Sequence, residues 1–322
     1  MKLTVCLCTH NRPGYVADCL AGLRAQTVPR EQFGILVVDS GSTGEVHAAL
    51  AAMAASHGAR LIRVDQPGVS AARNAGARAA ATGYIAYIDD DAIPAPGWIE
   101  QILAALSEPG PRPVVIGGRI LPKWEVPLPT WWPPSLRGVL SIIEYEGRGD
   151  YRSPAVPASL EPYAANMTMD VAALLEAGGF GSGIGRYGDS LLSDEEVQLA
   201  WTLQDRGFRT IHDSRIVVHH QIQARRLRPE WLLSRLYWQG ASTVLTRRLL
   251  RQPHRVWREL PRRIAVLLLF APLLLIPRHR TWLLEPRWRL HYAAGFVRAA
   301  FGWQAARSAA RTASKVAPRS AR

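Results

Sequence analysis

The sequence has little cysteine and no hydrophobic leader ahead of its first predicted strand. Its three cysteines, Cys6, Cys8 and Cys19, are too few for a disulfide-stabilised scaffold. Cys6 and Cys8 alternate within an apolar strand pattern, which favours buried structural cysteines over a metal site. Because Lys2 leads directly into that strand, we expect a reduced, cytoplasmic protein.

The sequence also lacks a long apolar segment. Its most hydrophobic run, IAVLLLFAPLLLI at 264–276, has 13 residues, whereas a membrane-spanning helix needs about 20. Pro272 interrupts the run, and arginines flank it on both sides. The pattern favours an interfacial or re-entrant segment, or a core helix, over a membrane span.

Acidic residues are scarce in the last third of the chain. Residues 221–322 contain 21 basic and 3 acidic side chains, a net charge of +18, whereas residues 1–220 carry −5. The basic region also holds six of the eleven tryptophans. Such a region requires an anionic partner. Interleaved arginine and tryptophan suit an anionic membrane surface, and they also suit nucleic acid.

No G-x-G-x-x-G follows the first strand, which excludes a dinucleotide-binding oxidoreductase. Strand and helix patterns nevertheless alternate through the first 120 residues. The predicted strands are Leu3–Thr9, Phe33–Asp39, Arg60–Val64, Tyr84–Asp89 and Val114–Arg119. The predicted helices are Tyr15–Gln26, Glu45–His57, Val69–Ala81 and Trp98–Leu106. This alternation predicts an α/β fold with a Rossmann-like, mostly parallel sheet covered by helices on both faces, and ligands at the carboxyl ends of its strands.

The pattern changes twice further along the chain. Residues 121–162 are rich in proline and tryptophan, which predicts an excursion of loops. A strand at 166–170 and helices at 171–177 and 194–206 follow, then extended chain at 210–219. The resulting division is a catalytic domain at 1–220, with halves 1–120 and 121–220, and a basic helical region at 221–322.

Three adjacent carboxylates end one of the predicted strands, in YIAYIDDDAIP. Like charges this close cost free energy unless a cation or hydrogen-bond donors compensate them. Side chains two apart on extended chain point the same way, so Asp89 and Asp91 should act together while Asp90 points elsewhere. Carboxylate oxygens are the ligands that Mg²⁺ and Mn²⁺ prefer.

Five segments, in order, resemble the family-2 glycosyltransferases over about residues 2–220. They are TVCLCTHNRPGYVADCLAGLRAQT, ILVVDSGST, GVSAARNAGARAA with its following YIAYIDDD, ANMTMDVAALLEAGGF and LLSDEEVQLAWTLQDRGFR. The resemblance implies a GT-A fold and an inverting sugar transfer from a nucleotide-diphosphate sugar. It also implies a divalent metal that stabilises the diphosphate leaving group.

The resemblance carries specific residues with it. Asp91 is expected to bind the metal, and Asp89 the metal or the ribose. Asp39 is expected to meet the base or ribose, and a helix start with Arg73 is suited to the diphosphate. The implied donor-binding residues are Thr9, Asn11, Arg12, Asp39, Ser40, Arg73, Asn74, Asp89 and Asp90.

The catalytic base has three candidates. In the family, an aspartate serves as the catalytic base. Alignment on Leu199 places Glu196 at that position, with Glu195 and Asp194 as alternatives. Ser193-x-x-Glu196 also matches a helix capping box, which would give Glu196 a structural role. Of the adjacent His219 and His220, which diverge on extended chain, His220 is expected to reach the metal or diphosphate.

The basic helical region at 221–322 also indicates which class of acceptor the enzyme uses. An enzyme held at the cytoplasmic face of a membrane would meet lipid-linked saccharides, so we expect a polyprenyl-linked acceptor in cell-envelope polysaccharide synthesis. A soluble transferase acting on a small molecule is one alternative, and a nucleic-acid-binding protein is another. The long aliphatic run and the acidic first region argue against nucleic acid.

Overall fold

The computed structural model describes residues 2–65, 67–181, 183–186, 190–275 and 284–302. The chain divides into two compact units. One comprises Met1–Phe180 and Glu196–Arg228, and the other Gly181–Glu195 and Pro229–Arg322. The first unit therefore runs past the predicted boundary at residue 220, and a short segment ahead of 196 groups with the second unit. The division into functional halves stays a prediction.

The first unit begins with alternating strands and helices. The strands are β1 (Leu3–Thr9), β2 (Phe33–Ser40), β3 (Arg60–Val64) and β4 (Tyr84–Asp89). The helices are α1 (Pro13–Arg24), α2 (Gly44–Ser56), α3 (Val69–Ala79) and α4 (Trp98–Ser107). The four strands are parallel, in the order β3-β2-β1-β4. The apolar residues of β1, β2 and β4 are buried on both faces because helices cover the sheet, whereas those of the edge strand β3 are half-buried.

The remaining strands make the sheet mixed. They are β5 (Ala92–Pro94), β6 (Val115–Trp124), β7 (Arg148–Asp150), β8 (Met167–Asp170) and β9 (Thr210–Ile222). β8 is antiparallel to β4 and β6, β5 and β7 are antiparallel to β9, and β6 and β9 are parallel. The predicted α/β class is confirmed, with parallel pairing throughout the first four strands and both kinds beyond them. Helices α5 (Val171–Glu176) and α6 (Glu195–Asp205) complete this part of the chain.

The predicted loop excursion was partly wrong. β6 continues through Trp124, a 3₁₀ segment occupies Pro134–Leu140, and β7 adds a short strand. Pairing with β9 stabilises the end of β6 as a strand despite Pro122, which breaks the local pattern. Cys6 and Cys8 share one side of β1 with their sulfurs 3.9 Å apart, and neither forms a disulfide.

The second unit is helical. It contains α7 (Pro229–Leu249), α8 (Pro253–Phe270), a 3₁₀ segment at Ala271–Leu275 and α9 (Leu284–Ala300). Its core residues include Leu192, Ala241, Val244, Val256, Leu260 and Phe296. Among the described residues no helix is both long and apolar enough to cross a bilayer. Ile276, the last residue of the apolar run, lies outside the described residues.

Candidate active site

The candidate site lies where the strand order of the sheet reverses. The chain builds outward from β1 to β2 and β3, then crosses to the other side of β1 to form β4. Such switch points bind ligands at the carboxyl ends of the strands. The register pairs Cys8 with Asp89 across β1 and β4, so the turn after Thr9 and the three carboxylates meet at one edge.

Asp90 and Asp91 share one arginine. Arg12 donates one guanidinium nitrogen to Oδ1 of Asp90 at 2.7 Å and the other to Oδ2 of Asp91 at 3.0 Å. Thr9 donates its hydroxyl to Oδ2 of Asp90 at 2.8 Å. The prediction that Asp90 points elsewhere was therefore wrong. Strand β4 ends at Asp89 and the chain turns at once, so the alternation of side chains does not extend to Asp91.

Asp91 also meets the chain that follows β9. Its Oδ2 accepts from Arg226 at 2.8 Å and from Gln223 at 2.9 Å, and its Oδ1 lies 3.2 Å from Nε2 of His220. His219, on the opposite side of the strand, is exposed. Sequence reasoning placed His220 at this site but missed Gln223 and Arg226, because Arg226 is one of 21 basic residues in the tail without a distinguishing pattern.

Burial and neighbouring charges shift the pKa values of Asp90 and Asp91 in opposite directions. Burial, reinforced by the charge of Asp91, raises the pKa of Asp90 to about 7 despite Arg12 and Thr9. Burial opposes ionisation of Asp91 as well, but His220, Arg226 and Arg12 outweigh it and hold the pKa of Asp91 well below its usual range. Asp91 is thus a stable buried anion.

Asp89 belongs to a second ion-pair group. Arg73, on α3, donates to its Oδ1 at 3.1 Å and lies 4.0 Å from Oε2 of Glu196. The guanidinium also stacks over the ring of Phe180, 5.7 Å from its centroid. Arg73 is buried, whereas the Asp89 side chain is 37% exposed. Arg73 therefore connects the end of β4 to one of the three candidate bases.

The Asn74 side chain binds the backbone of Phe180, and its contact with the donor stays a prediction. Its amide nitrogen donates to the carbonyl of Phe180 at 2.9 Å, and its Oδ1 accepts the Phe180 N–H at 2.8 Å. Both ends of the amide are thereby used to hold the chain after α5. The neighbouring Arg73 turns the other way, toward the carboxylates, because adjacent helical residues face different directions.

The other two candidate bases lie in the second unit. Asp194 accepts from Nε2 of Gln239 with both oxygens, at 3.2 and 2.9 Å, and from the hydroxyl of Ser193 at 2.7 Å. Its φ of +77° is strained for a residue with a side chain. Glu195 is buried and begins α6. The predicted capping box was wrong, because the Ser193 hydroxyl donates to Asp194 and the helix starts two residues later.

The remaining predicted donor residues surround the end of β2. Asp39 is fully buried and accepts from Ser42, His47 and Arg63. Ser40 is buried too, with its hydroxyl accepting the N–H of Gly68 at 3.0 Å. Asn11, in a left-handed conformation with φ of +53°, accepts the N–H of Thr43 at 2.9 Å.

Ser40 and Asn11 thus stabilise neighbouring loops, and their contact with the donor stays a prediction. No group of three or more histidine, cysteine, aspartate or glutamate side chains in the described part of the chain is arranged to hold a metal ion.

A curled α/β sheet with carboxylates and arginines at its switch point defines a glycosyltransferase of the GT-A class. The model of the family "Glycosyl transferase family 2" matches residues 4–155. Residues 4–155 belong to that family, which confirms the predicted resemblance. It is similar to a glucosyl-dolichyl phosphate glucuronosyltransferase of Haloferax volcanii, with 27% identity over 246 residues, 75% of this chain and 76% of that protein.

Other relatives are more distant. A pre-mycofactocin glycosyltransferase of Mycobacterium tuberculosis is 26% identical over 234 residues, which cover 71% of this chain but only 46% of that protein. Among solved structures, the mannosyltransferase PcManGT from Pyrobaculum calidifontis, in complex with GDP-Man and Mn²⁺, is 18% identical with a TM-score of 0.59. The match covers 92% of this chain and 86% of that one, and it establishes the shared fold.

Proposed function

We propose that this glycosyltransferase moves a sugar, with inversion, from a nucleotide-diphosphate sugar to a hydroxyl group of a lipid-linked saccharide. The observation that carries the proposal is the cluster of Asp89–Asp91 with Arg12, Arg73 and Arg226 at the switch point. Arginines suit a diphosphate because their planar forks bind phosphate oxygens in pairs. The charge that develops on a departing diphosphate would be stabilised by the same groups.

Asp91 and His220 are the residues that fit a divalent metal. Nε2 of His220 lies 3.2 Å from Oδ1 of Asp91 and 3.2 Å from a guanidinium nitrogen of Arg226, so an imidazole and a carboxylate meet at this point. Imidazole nitrogen and carboxylate oxygen are both common ligands of divalent metals. Mg²⁺ and Mn²⁺ commonly take a few protein ligands and complete the set with phosphates and water. When bound there, the metal would neutralise charge on the diphosphate.

Glu196 is the base that the geometry favours. Its carboxylate lies beside Arg73, which contacts the aspartate group, whereas Asp194 already accepts three hydrogen bonds. In the reaction, Glu196 takes the proton from the acceptor hydroxyl as its oxygen attacks the anomeric carbon. The bond from that carbon to the diphosphate oxygen breaks at the same time, and the diphosphate leaves with the electron pair. One base and an in-line attack suffice for inversion.

The exposed face of α8 supports a membrane surface as the place of action. Its first half presents Arg255, Arg258 and Arg262 to solvent. The end of α8 and the following 3₁₀ segment present Leu268 and Leu275, 74% and 89% exposed. Arginines near anionic headgroups contribute about 1 kcal/mol each, and exposed leucines can enter the interface. A peripheral enzyme at the cytoplasmic face would there meet an acceptor such as a polyprenyl-linked saccharide of the cell envelope.

The acceptor class has independent support in one relative, the glucuronosyltransferase whose name states a glucosyl-dolichyl phosphate substrate.

The test is a panel of UDP-, GDP- and dTDP-sugars, each with a polyprenyl-linked acceptor and with the same saccharide lacking its lipid, in Mn²⁺ and in EDTA. Transfer to the lipid-linked form with loss in EDTA is expected. Equal transfer to the lipid-free saccharide would replace the lipid-linked acceptor with a small-molecule one.

Membrane binding is tested separately by flotation with vesicles of increasing anionic lipid content. Binding should rise with anionic lipid and fall only partly with salt, because the apolar contribution is not screened. Leu268→Gln combined with Leu269→Gln should weaken flotation. Leu249→Gln, at an exposed leucine outside α8, serves as the matched control. Equal flotation of both variants would remove α8 from the membrane contact.

A further inference from the structure

Glu125 joins two segments of the first unit that both reach Asp91. Its Oε1 accepts the hydroxyl of Tyr15 at 2.6 Å, and its Oε2 accepts the backbone N–H of Ala224 at 3.0 Å. Tyr15 lies in the first turn of α1, and Ala224 begins a 3₁₀ segment that contains Arg226. A single exposed carboxylate therefore connects two distant parts of the chain.

The first segment holds Arg12 against the ring of Tyr15. Arg12 directly precedes α1, and residues three apart at the start of a helix are neighbours on its surface. The central carbon of the guanidinium lies 4.6 Å from the centroid of the Tyr15 ring, within the range of a cation–π contact. The same guanidinium donates to Asp90 and Asp91. The hydrogen bond from Tyr15 to Glu125 thus fixes the ring on which Arg12 rests.

The second segment is the chain that leaves β9. The last residues of β6 and β9 pair in register, so Glu125, which follows β6, lies beside this chain. Its carboxylate accepts the N–H of Ala224, two residues before Arg226. Arg226 donates to Oδ2 of Asp91, the same oxygen to which Arg12 donates. The contacts therefore close into a ring that runs from Asp91 through both segments to Glu125.

The chemistry of the ring requires a carboxylate at position 125. Both partners of Glu125 are hydrogen-bond donors, so both of its oxygens must accept. Donation by the Tyr15 hydroxyl outweighs partial burial and, together with the N–H of Ala224 and nearby arginines, holds the pKa of Glu125 below its usual value. Contacts of an exposed charged side chain contribute little to the stability of a fold. Their larger effect here is on where the two arginines lie.

We propose that Tyr15 and Glu125 are positioning residues for sugar transfer, which hold Arg12 and Arg226 where these meet the diphosphate of the donor. This inference rests on the nucleotide-sugar function proposed above. Arginines that are fixed in advance stabilise the charge on a departing diphosphate without reorganising, and a displacement of about 1 Å can cost about a hundredfold in rate. Opening the ring should therefore lower kcat and weaken nucleotide binding while the fold stays intact.

The test measures steady-state transfer from the nucleotide sugar that the wild type uses, and calorimetric binding of UDP, GDP and dTDP with Mn²⁺ present. Tyr15→Phe keeps the ring beside Arg12 but removes its hydroxyl, and Glu125→Gln leaves one acceptor oxygen for two donors. Each should lower kcat/KM by about tenfold, the worth of one hydrogen bond to a charged group. Glu125→Ala loses both contacts and should lower it by about a hundredfold.

The affinity measurement separates positioning from a general loss of structure. A folding defect lowers the fraction of active protein, and hence kcat, but leaves the nucleotide affinity of the active fraction unchanged, whereas displaced arginines change both. Tyr145→Phe and Glu144→Gln are the matched controls. They remove a tyrosine hydroxyl that donates to a carbonyl at 2.7 Å and a carboxylate that accepts from an arginine at 2.6 Å. Both should retain wild-type kinetics and affinity.

A double variant tests whether the two residues act through each other. Tyr15→Phe combined with Glu125→Ala should be no slower than Glu125→Ala alone, because the hydroxyl acts through the carboxylate. Losses that multiply in the double variant would overturn the inference, and so would wild-type kinetics and affinity in Glu125→Ala; both leave the transferase reaction intact. If Glu125→Ala does not fold, Tyr15→Phe decides in the same way. A wild type that binds none of the three nucleotides and transfers none of their sugars would refute the nucleotide-sugar function, and the inference with it.

Discussion

Replacing Asp91 with asparagine removes the charge opposite Arg12 and Arg226 and preserves the shape of the side chain. The Asp91 and Arg226 side chains are 3% and 7% exposed, and their closest atoms are 2.8 Å apart. Removing one partner of a buried ion pair costs about 3–5 kcal/mol, because the other charge is left uncompensated. Arg12 is 23% exposed, so solvent screens its share. We expect Asp91→Asn to lower the free energy of unfolding by about 3 kcal/mol.

The assay is urea unfolding in EDTA, followed by far-ultraviolet circular dichroism, so that no metal contributes. Glu146→Gln is the matched control. It removes a carboxylate that also lies 2.9 Å from an arginine, Arg119, but is 77% exposed. Exposed pairs contribute about 0–1 kcal/mol, so the control should be close to the wild type.

An Asp91→Asn protein that is as stable as the wild type in EDTA, or more stable, would refute the reasoning. Carboxylates that repel one another while awaiting a metal destabilise the metal-free protein, and neutralising one of them then raises stability. The sign of the change thus distinguishes a carboxylate held by arginines from one held only by a metal.

Three further predictions concern the base, the packing of the second unit and the acid range. Glu196→Gln should lower kcat by about 10²–10⁴ with nucleotide affinity unchanged. Asp194→Asn should mainly lower the stability of the protein. A loss of kcat in Asp194→Asn as large as that in Glu196→Gln would contradict the assignment of Glu196 as the base. Gly295→Ala places a methyl group against the backbone carbonyl oxygen of Tyr237, so it should lower the free energy of unfolding in urea by about 3 kcal/mol or more. Gly14→Ala, with open space around it, should be neutral or stabilising, and equal stability of the two variants would contradict the close helix contact. Burial opposes the charge of Asp213, but two arginines hold the pKa of Asp213 low. The stability that the ionised Asp213 contributes is therefore present above pH of about 4 and is lost as the pH falls further. The difference in free energy of unfolding between wild type and Asp213→Asn should narrow below that pH, and a constant difference would contradict this.

Local sequence patterns predicted the first half of the fold well. The bounds of β1, β3 and β4 agree with the prediction residue for residue, and α1 buries the apolar residues that recur at helical spacing, Val16, Cys19, Leu20 and Leu23. Each of these elements carries its own apolar periodicity, which marks it even where its partners are distant, as β1 and β8 are for β4. Periodicity is sufficient to predict an element, but it does not identify the partner of that element.

Contacts between distant segments were not predictable in the same way. Arg226 and Asp91 are 135 positions apart, and their contact depends on the antiparallel pairing of β5 with β9. The direction of Asp90 depends on where β4 ends, which a neighbouring strand decides. Likewise, the enclosure of Asp39 comes from His47 and Arg63, on two other elements, and no local pattern marks those residues as its partners.

The charge balance of the site leads to a last prediction, about the order in which metal and donor bind. Arg12, Arg73 and Arg226 oppose the three carboxylates of Asp89–Asp91, and Glu196 lies beside Arg73. Before a donor enters, the group is close to neutral or slightly negative. A nucleoside diphosphate adds at least two negative charges, and a divalent cation that arrives with it would restore the balance. The phosphate oxygens would then add to the metal ligands that Asp91 and His220 offer.

Metal and nucleotide should therefore bind cooperatively, each raising the affinity for the other by the same factor. Titration of Mn²⁺ followed by electron paramagnetic resonance measures this directly, without turnover. We expect Mn²⁺ affinity at least about tenfold higher with a bound nucleoside diphosphate, a coupling of about 1.4 kcal/mol. Chelation by nucleotide alone is measured without protein and subtracted. Mn²⁺ binding of equal strength with and without nucleotide would show that the protein itself completes the metal site, and that the arginines do not balance the carboxylates.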